Sequence, residues 1–199
     1  MGSEMCIRDR GKDVTGRSPR TLRELGVAYI PEDRVRFGVA PGLSVEENLV
    51  LRSYYREPFS GKIMLRRLRI EEWAERLISE YRIVAPSLKS PAKLLSGGNL
   101  QRLIIARELS GRPKLIVAAH PTYGLDVASA EHVRRVLLEH RDRGAAILLV
   151  SEDLDEVLNL SDRVAVMSSG RFTGILSTGE ATPEKVGLLM AGGLRSGKA

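Results

Sequence analysis

A serine and two glycines at the head of an apolar helix constrain this 199-residue chain more than any other feature. The run Leu95-Ser-Gly-Gly-Asn-Leu-Gln101 leads into a helix from Arg102 to Leu109. Ser96 caps that helix. Gly97 and Gly98 lack a Cβ, so an anion can approach the unpaired N–H groups of the first turn. The helix dipole adds about 0.3–2 kcal/mol for a charge held there. Taken alone, the run reads as an ordinary capped helix, and its surroundings decide.

Those surroundings alternate helix and strand signals, which predicts an α/β layer fold. Ser18-Pro19 opens a short helix closed by Gly26, and Val27 to Ile30 is a brief buried-type strand. Pro31 to Leu43 reads as loop. Ser44-Val-Glu-Glu47 is a capping box that starts a helix through about Leu51. Residues 56–69 are basic and irregular, and Ile70, Trp73, Leu77 and Tyr81 then form one helical stripe, read as core. Leu115 to Ala119 is a buried strand. The helix Ala128 to Arg141, the strand Ala146 to Val150 and a short helix from Asp153 follow. Arg163 to Met167 and Phe172 to Leu176, joined through Ser169-Gly170, predict a hairpin. Thr182-Pro183 begins a last helix ending near Gly192. There is no internal repeat, and no linker long enough to separate two domains.

Charge and cysteine usage narrow the class. Lys and Arg number 31 against 25 Asp and Glu, a net charge of +6, which suits nucleic acid, anionic lipid or phosphate ligands. The excess is spread along the chain and aromatics are only 5%, so a base-stacking nucleic-acid surface is poorly supported. The lone Cys6 excludes an internal disulfide framework and a cysteine-rich zinc site. Apolar runs such as Ala145 to Val150 are too short to cross a bilayer, and MGSEMCIRDR lacks the apolar core of a secretory signal. The expectation is a soluble, intracellular protein in a reducing compartment.

With Leu95–Gln101, the helix after it, the strand Leu115 to Ala119 and Pro121-Thr-Tyr-Gly-Leu-Asp126, the chain resembles the ATP-binding cassette (ABC) ATPases. The first run resembles their signature motif, and the last resembles the end of Walker B passing into the D-loop. The resemblance runs in register from about Gly11 to Gly193. Within the family it is closest to the second cassette of tandem importers of simple sugars and nucleosides. The features behind this are Tyr29-Ile-Pro-Glu-Asp-Arg34, Ser151-Glu-Asp-Leu-Asp-Glu156 and Gly187-Leu-Leu-Met-Ala-Gly192, and nucleoside import is the narrower expectation. The implied fold is a P-loop NTPase-type cassette lacking its N-terminal part. It has a mostly parallel sheet with helices, a helical signature subdomain at about 44–110, and a C-terminal β-hairpin and helix. Residues 1–10 read as a foreign leader, 11–193 as a partial ABC domain and 194–199 as a tail.

The resemblance also exposes departures. A P-loop requires a glycine loop, a lysine and a Ser or Thr between strand and helix. Gly192-Gly-Leu-Arg-Ser-Gly-Lys198 nearly has the spacing, but Ala199 replaces the magnesium-binding hydroxyl, so these are chance glycines. The family's P-loop would lie upstream of Gly11, as in the C-terminal part of a longer chain. The Walker B position, where the family usually carries Asp-Glu, holds Ala119-His120. Ala119 cannot orient a magnesium-bound water. A histidine such as His120 can in principle act as a general base, but it lacks the carboxylate beside it. The Q-loop position is Glu32 and the switch position is Glu152, and a carboxylate near a γ-phosphate adds repulsion. No metal ligand set and no confident catalytic residue is expected in this half.

The signature is intact, however. In the family, cassettes pair head to tail, and each signature completes the site of its partner. The resemblance therefore implies that Ser96, Gly97, Gly98, Asn99 and Gln101 contact ATP in trans, with D-loop Asp126 at the interface or capping the next helix. It implies ATP and Mg2+ as cofactors of the complete transporter, with neither bound tightly by this chain alone. The implied partners are an N-terminal cassette, transmembrane permease subunits and, indirectly, an extracytoplasmic solute-binding protein. Nucleic acid is not among them. The implied place is the cytoplasmic face of a bacterial-type membrane, as a peripheral subunit. Two other classes are weaker. Nucleic-acid-processing cassettes would bring zinc-binding cysteines or long heptads, whereas a dead cassette serving dimerisation alone differs in not copurifying with membrane subunits.

Overall fold

A computed structural model of the protein describes residues 8–9, 11–61 and 64–192. The glycine-rich string after Gly192 and most of the leader lie outside the described residues. The chain divides into two compact units, Met1–Leu148 and Leu149–Ala199. No linker intervenes, because the division falls inside a strand.

In the first unit, β1 (Arg8–Asp9) pairs antiparallel with β2 (Lys12–Asp13). Helix α1 (Pro19–Glu24) is capped by Ser18, whose side chain accepts from the Thr21 amide. Strand β3 (Val27–Ile30) follows. The segment read as plain loop contains a single wide helical turn at Arg34–Gly38, started by Asp33, whose carboxylate accepts from the amides of Val35 and Arg36. The predicted capping box is present at Ser44 and Glu47, at the head of α2 (Val45–Val50).

Helix α3 (Arg67–Glu80) begins three residues before the apolar stripe that predicted it. Its Ile70 joins Val50 and Phe59 in a small core, and Trp73 meets Phe59 edge-on at 5.3 Å between ring centres. A short 3-10 turn at Ala92–Leu94 then leads to α4 (Gly97–Leu109). Between Ser44 and Ser110 the named elements are thus all helical, as the resemblance implied.

Strand β4 (Leu115–Ala119) pairs parallel with β3, Ala28 opposite Ile116 and Ile30 opposite Ala118. These four side chains are fully buried and share the face that packs on α4, where Leu103, Ile104 and Ala106 are also fully buried. The opposite face departs from the buried-strand expectation. Tyr29 is 52% exposed and Val117 half-buried, so each strand reads as one-sided, with period 2. Helix α5 (Val127–Asp142) follows, and β5 (Ala146–Val150) completes a three-stranded sheet of order β3-β4-β5.

The second unit holds α6 (Leu154–Leu160), a hairpin of β6 (Arg163–Ser168) and β7 (Arg171–Ser177), and α7 (Pro183–Met190). The hairpin turn places Ser169 and Gly170 at φ 48° and 74°, the double left-handed conformation of a two-residue type I′ loop. Val164, Val166, Ala181 and Val186 form its core. Thr182 caps α7 as the sequence predicts.

Candidate functional site

The site begins at the first turn of α4. Ser96 is its N-cap, with an extended backbone. Its Oγ accepts from the Asn99 amide at 3.4 Å and from Asn99 Nδ2 at 3.0 Å. Both bonds use oxygen lone pairs, so the hydroxyl proton is left to donate outward. The amides of Gly97 and Gly98 lie in the first turn, where no intrahelical carbonyl can reach them. Ser96 and Gly97 are exposed. The result is a small donor cluster with a favourable dipole, open to an anion.

Two other segments close on it. A Cβ built on Gly97 would stand 3.5 Å from Arg34 Nη1, so a guanidinium flanks the donor cluster. Burial lowers the pKa of Arg34 from its ordinary value, and a guanidinium keeps its charge inside proteins. A Cβ on Gly98 would meet Ser129 Oγ at 3.1 Å, so the two helix starts lie close enough that an added methyl would push on the Ser129 hydroxyl. Asp126 caps α5 through its bond from the Ser129 amide at 2.9 Å. The hydrogen bonds from Ser129, side chain first and then backbone, hold the Asp126 carboxyl below its ordinary pKa. The capping role read for Asp126 is therefore present.

Two expected phosphate contacts turn inward instead. Gln101 is 1% exposed, and its Nε2 donates to the Pro121 carbonyl at 2.7 Å. It cannot reach a ligand on the surface; it ties α4 to the turn after β4. Asn99 is half-buried, and its Oδ1 accepts from the Val84 amide at 2.9 Å. Asn99 braces the cap against the segment after α3 while its Nδ2 supports Ser96. Arg34 was missed as a site residue. Its signal lay in the Glu-Asp-Arg run, where Asp33 fixes the turn that presents it.

The Walker B position is built differently. Glu32 follows β3 and His120 follows β4, and because those strands are parallel both lie past the carboxyl edge of the sheet. Glu32 is exposed, and Ala119 and His120 are half-buried. His120 is held at φ 44°, an uncommon conformation for a non-glycine residue, where the chain turns sharply into Pro121. Ala119 offers no side-chain oxygen to a metal ion, and no cluster of three His, Cys, Asp or Glu suited to one occurs among the described residues. Magnesium does not fit this chain's own Walker B position, whereas a phosphate group fits the signature donors. Glu152 belongs to the second unit, exposed on the turn before α6.

Residues 4–123 match the family described as ABC transporter, a match that begins inside the segment read as foreign. The chain belongs to the ABC transporter family. The guanosine import ATP-binding protein NupO of Bacillus subtilis is 42% identical over 95% of this chain and 38% of its own. The nucleoside import ATP-binding protein NupA of Lactococcus lactis is 40% identical over 94% and 37%. The glucose import ATP-binding protein TsgD13 of Haloferax volcanii is 40% identical over 92% and 34%. The chain thus spans well under half the length of these relatives. In fold it is similar to an ATP-binding cassette solved as a dimer in a post-hydrolysis state with ADP and phosphate. There the TM-score is 0.70 at 18% identity, over 85% of this chain and 72% of that one. A nucleotide-free cassette from an ABC transporter gives 0.66 at 23%, over 94% and 73%. No described helix of this ABC family member is long and apolar enough to cross a membrane.

Proposed function

We propose that this chain is the C-terminal cassette portion of the ATP-binding subunit of an importer of nucleosides or simple sugars. Its signature completes the ATP site of a partner cassette, while its own site is degenerate. The observation that carries the reading is the contrast between two ends of one unit. Ser96 and Gly97 at the head of α4 are exposed, with Arg34 beside Gly97, and the Walker B position carries Ala119 and His120 in place of carboxylates. The identities to NupO and NupA support nucleosides ahead of sugars.

ATP held with Mg2+ supplies phosphoanhydride hydrolysis as the energy source of the complete transporter. Ser96 Oγ–H and the amides of Gly97 and Gly98 would hold phosphate oxygens on the partner cassette. Fixed donors of this kind are worth about 2.7–4 kcal/mol each in a transition state. Arg34 adds a positive charge beside them. The partners in this reading are an N-terminal cassette, two permease subunits and, through them, a solute-binding protein. The place is the cytoplasmic membrane face.

Within it, Pro31 to Leu43 contacts the permease, offering exposed Val35 and Phe37 on the turn fixed by Asp33. Cysteine crosslinking from position 37 to the permease tests that surface. Calorimetric titration of the purified chain is expected to show no micromolar Mg-ATP binding. Micromolar binding would mean that the chain's own site is functional.

A further inference from the structure

The first unit contains a second basic feature, away from the signature donors. A cavity of about 130 Å3 is lined by Arg23, Arg52, Arg56 and Arg107 with Glu108 as the lone carboxylate among its lining residues, and by Tyr55. Arg52 and Arg107 are largely buried, with side chains 14% and 9% exposed. Glu108 is already committed. Its Oε2 accepts from Arg52 Nη1 at 2.8 Å and from the Tyr29 amide, and its Oε1 accepts from Arg107 Nε at 2.9 Å. Arg107 Nη2 donates to the Gly38 carbonyl at 2.7 Å. Arg52 also donates to the carbonyls of Glu108 and Val27, which leaves Nε–H and one Nη2–H of its five donors without an acceptor among the described residues.

The remaining charges do not offset it. Arg56 and Arg20 share the single Glu24 carboxylate, at 2.9 and 3.4 Å, and both lie over the Tyr55 ring. Arg23 has no carboxylate partner among the described residues. Five guanidiniums therefore surround this corner against two carboxylates. Burying like charges is unfavourable without a counter-charge. The larger cavity of about 360 Å3 beside α5 differs, because Glu139 stands between Arg135 and Arg143 there.

We propose that the Arg23–Arg52–Arg56 cavity is a binding site for a phosphate group, free or borne on a larger molecule. Arg52 is the fixed floor, and Arg23 and Arg56 are the outer donors. Its volume admits one such group, and planar N–H forks match the oxyanion geometry. Burial, and after it the charges of Arg23 and Arg107, depress the proton affinity of Arg52 despite Glu108, as a bound anion would relieve. The site sits on the bonds that tie α4 to β3 and to Gly38, so occupancy would stiffen that junction.

The test is a titration of the purified chain with inorganic phosphate at constant ionic strength in chloride buffer, read on assigned arginine Nε–H signals by NMR. Saturable shifts at Arg23, Arg52 and Arg56 are expected. The double variant R23Q/R56Q, folded by circular dichroism, is expected to bind at least about tenfold more weakly, the loss of one charge-assisted bond or more. R23K/R56K is expected to recover part of that loss. Vesicles of phosphatidylcholine with and without phosphatidic acid form a second arm. Binding to the acidic vesicles alone, lost in R23Q/R56Q, assigns the phosphate to a lipid headgroup, whereas saturation by free phosphate assigns it to a soluble ligand. Neither response, or equal binding by R23Q/R56Q, overturns the proposal.

Discussion

The first turn of α4 and the last turn of β4 are joined by one hydrogen bond, from Gln101 to Pro121, yet they differ in every property that chemistry requires. At α4 the backbone itself supplies donors, so function needs only small residues and a cap. Ser96, Gly97 and Gly98 meet that need, and the neighbouring helix start at Asp126 approaches within contact of Gly98. At β4 the backbone supplies geometry but no charge. The chain turns sharply at His120, while the side chains at 119 and 120 provide no carboxylate. A site made of main-chain groups depends on few side chains, whereas a site made of side chains depends on each of them.

The largest effect is expected where that contrast is sharpest. In the complete transporter, Ser96→Arg places a bulky cation among small donors, and Gly97→Asp sets a like charge against phosphate. Each should lower ATP turnover about 10²–10³-fold, as loss of a preorganised donor does. Turnover within a few fold of the unmodified protein would remove the signature from the reading.

The joint between the two ends comes next. Gln101→Leu keeps the volume but leaves the Pro121 carbonyl without its donor, at a cost of about 1–3 kcal/mol. For a chain of this size each kcal/mol lowers Tm by roughly 2–4 °C. A scanning-calorimetry trace with unchanged Tm would mean that the joint carries no stability.

A smaller effect is expected at the other end. His120→Ala and Glu152→Ala should each change turnover by less than about tenfold, or 1.4 kcal/mol. If His120→Ala matched Ser96→Arg, the Walker B end would be catalytic and the contrast would collapse.

The parts of this arrangement readable in the sequence are those set locally. The caps at Ser18, Ser44, Ser96, Asp126 and Thr182 depend on residues within three positions, as does the Ser169-Gly170 turn. The turn at Arg34–Gly38 was not readable, because it is completed by packing. A Cβ on Gly38 would stand 2.5 Å from Ile104 Cδ1, some 66 positions along the chain. Gln101, which the resemblance sets against ATP, turns inward for a related reason: α4 is buried from Leu100 to Leu109 on nearly every side except at Arg102. A polar side chain inside such a helix must find a distant partner. Arg34 was hidden likewise, since only the tertiary fold brings it beside Gly97.

The smallest expected effect is on stability against pH, and it separates the acidic cap on the α4 side from the buried far end of α5. His140 is 5% exposed, and burial first, then Arg143, holds its pKa below 6.5, against the opposing pull of Glu139 and Glu80. His132 on the same helix is lowered by burial and then by Arg102, Arg135 and Arg82, with Glu139 opposing. A histidine whose folded pKa is depressed binds its proton more readily when unfolded. Its contribution is therefore complete above pH 6.5 and is lost as pH falls from there through the folded value. Asp126 and Glu47 are depressed carboxylates, held down chiefly by Ser129 and Ser44, so their contributions persist to lower pH and fade only below the ordinary carboxylate range. Thermal melts between pH 7.5 and about 2 should thus fall in two stages. H132Q/H140Q should flatten the stage just below pH 6.5 and leave the acidic one, whereas D126N should do the reverse. A single acidic stage in the unmodified chain would show that the far end of α5 is open to water.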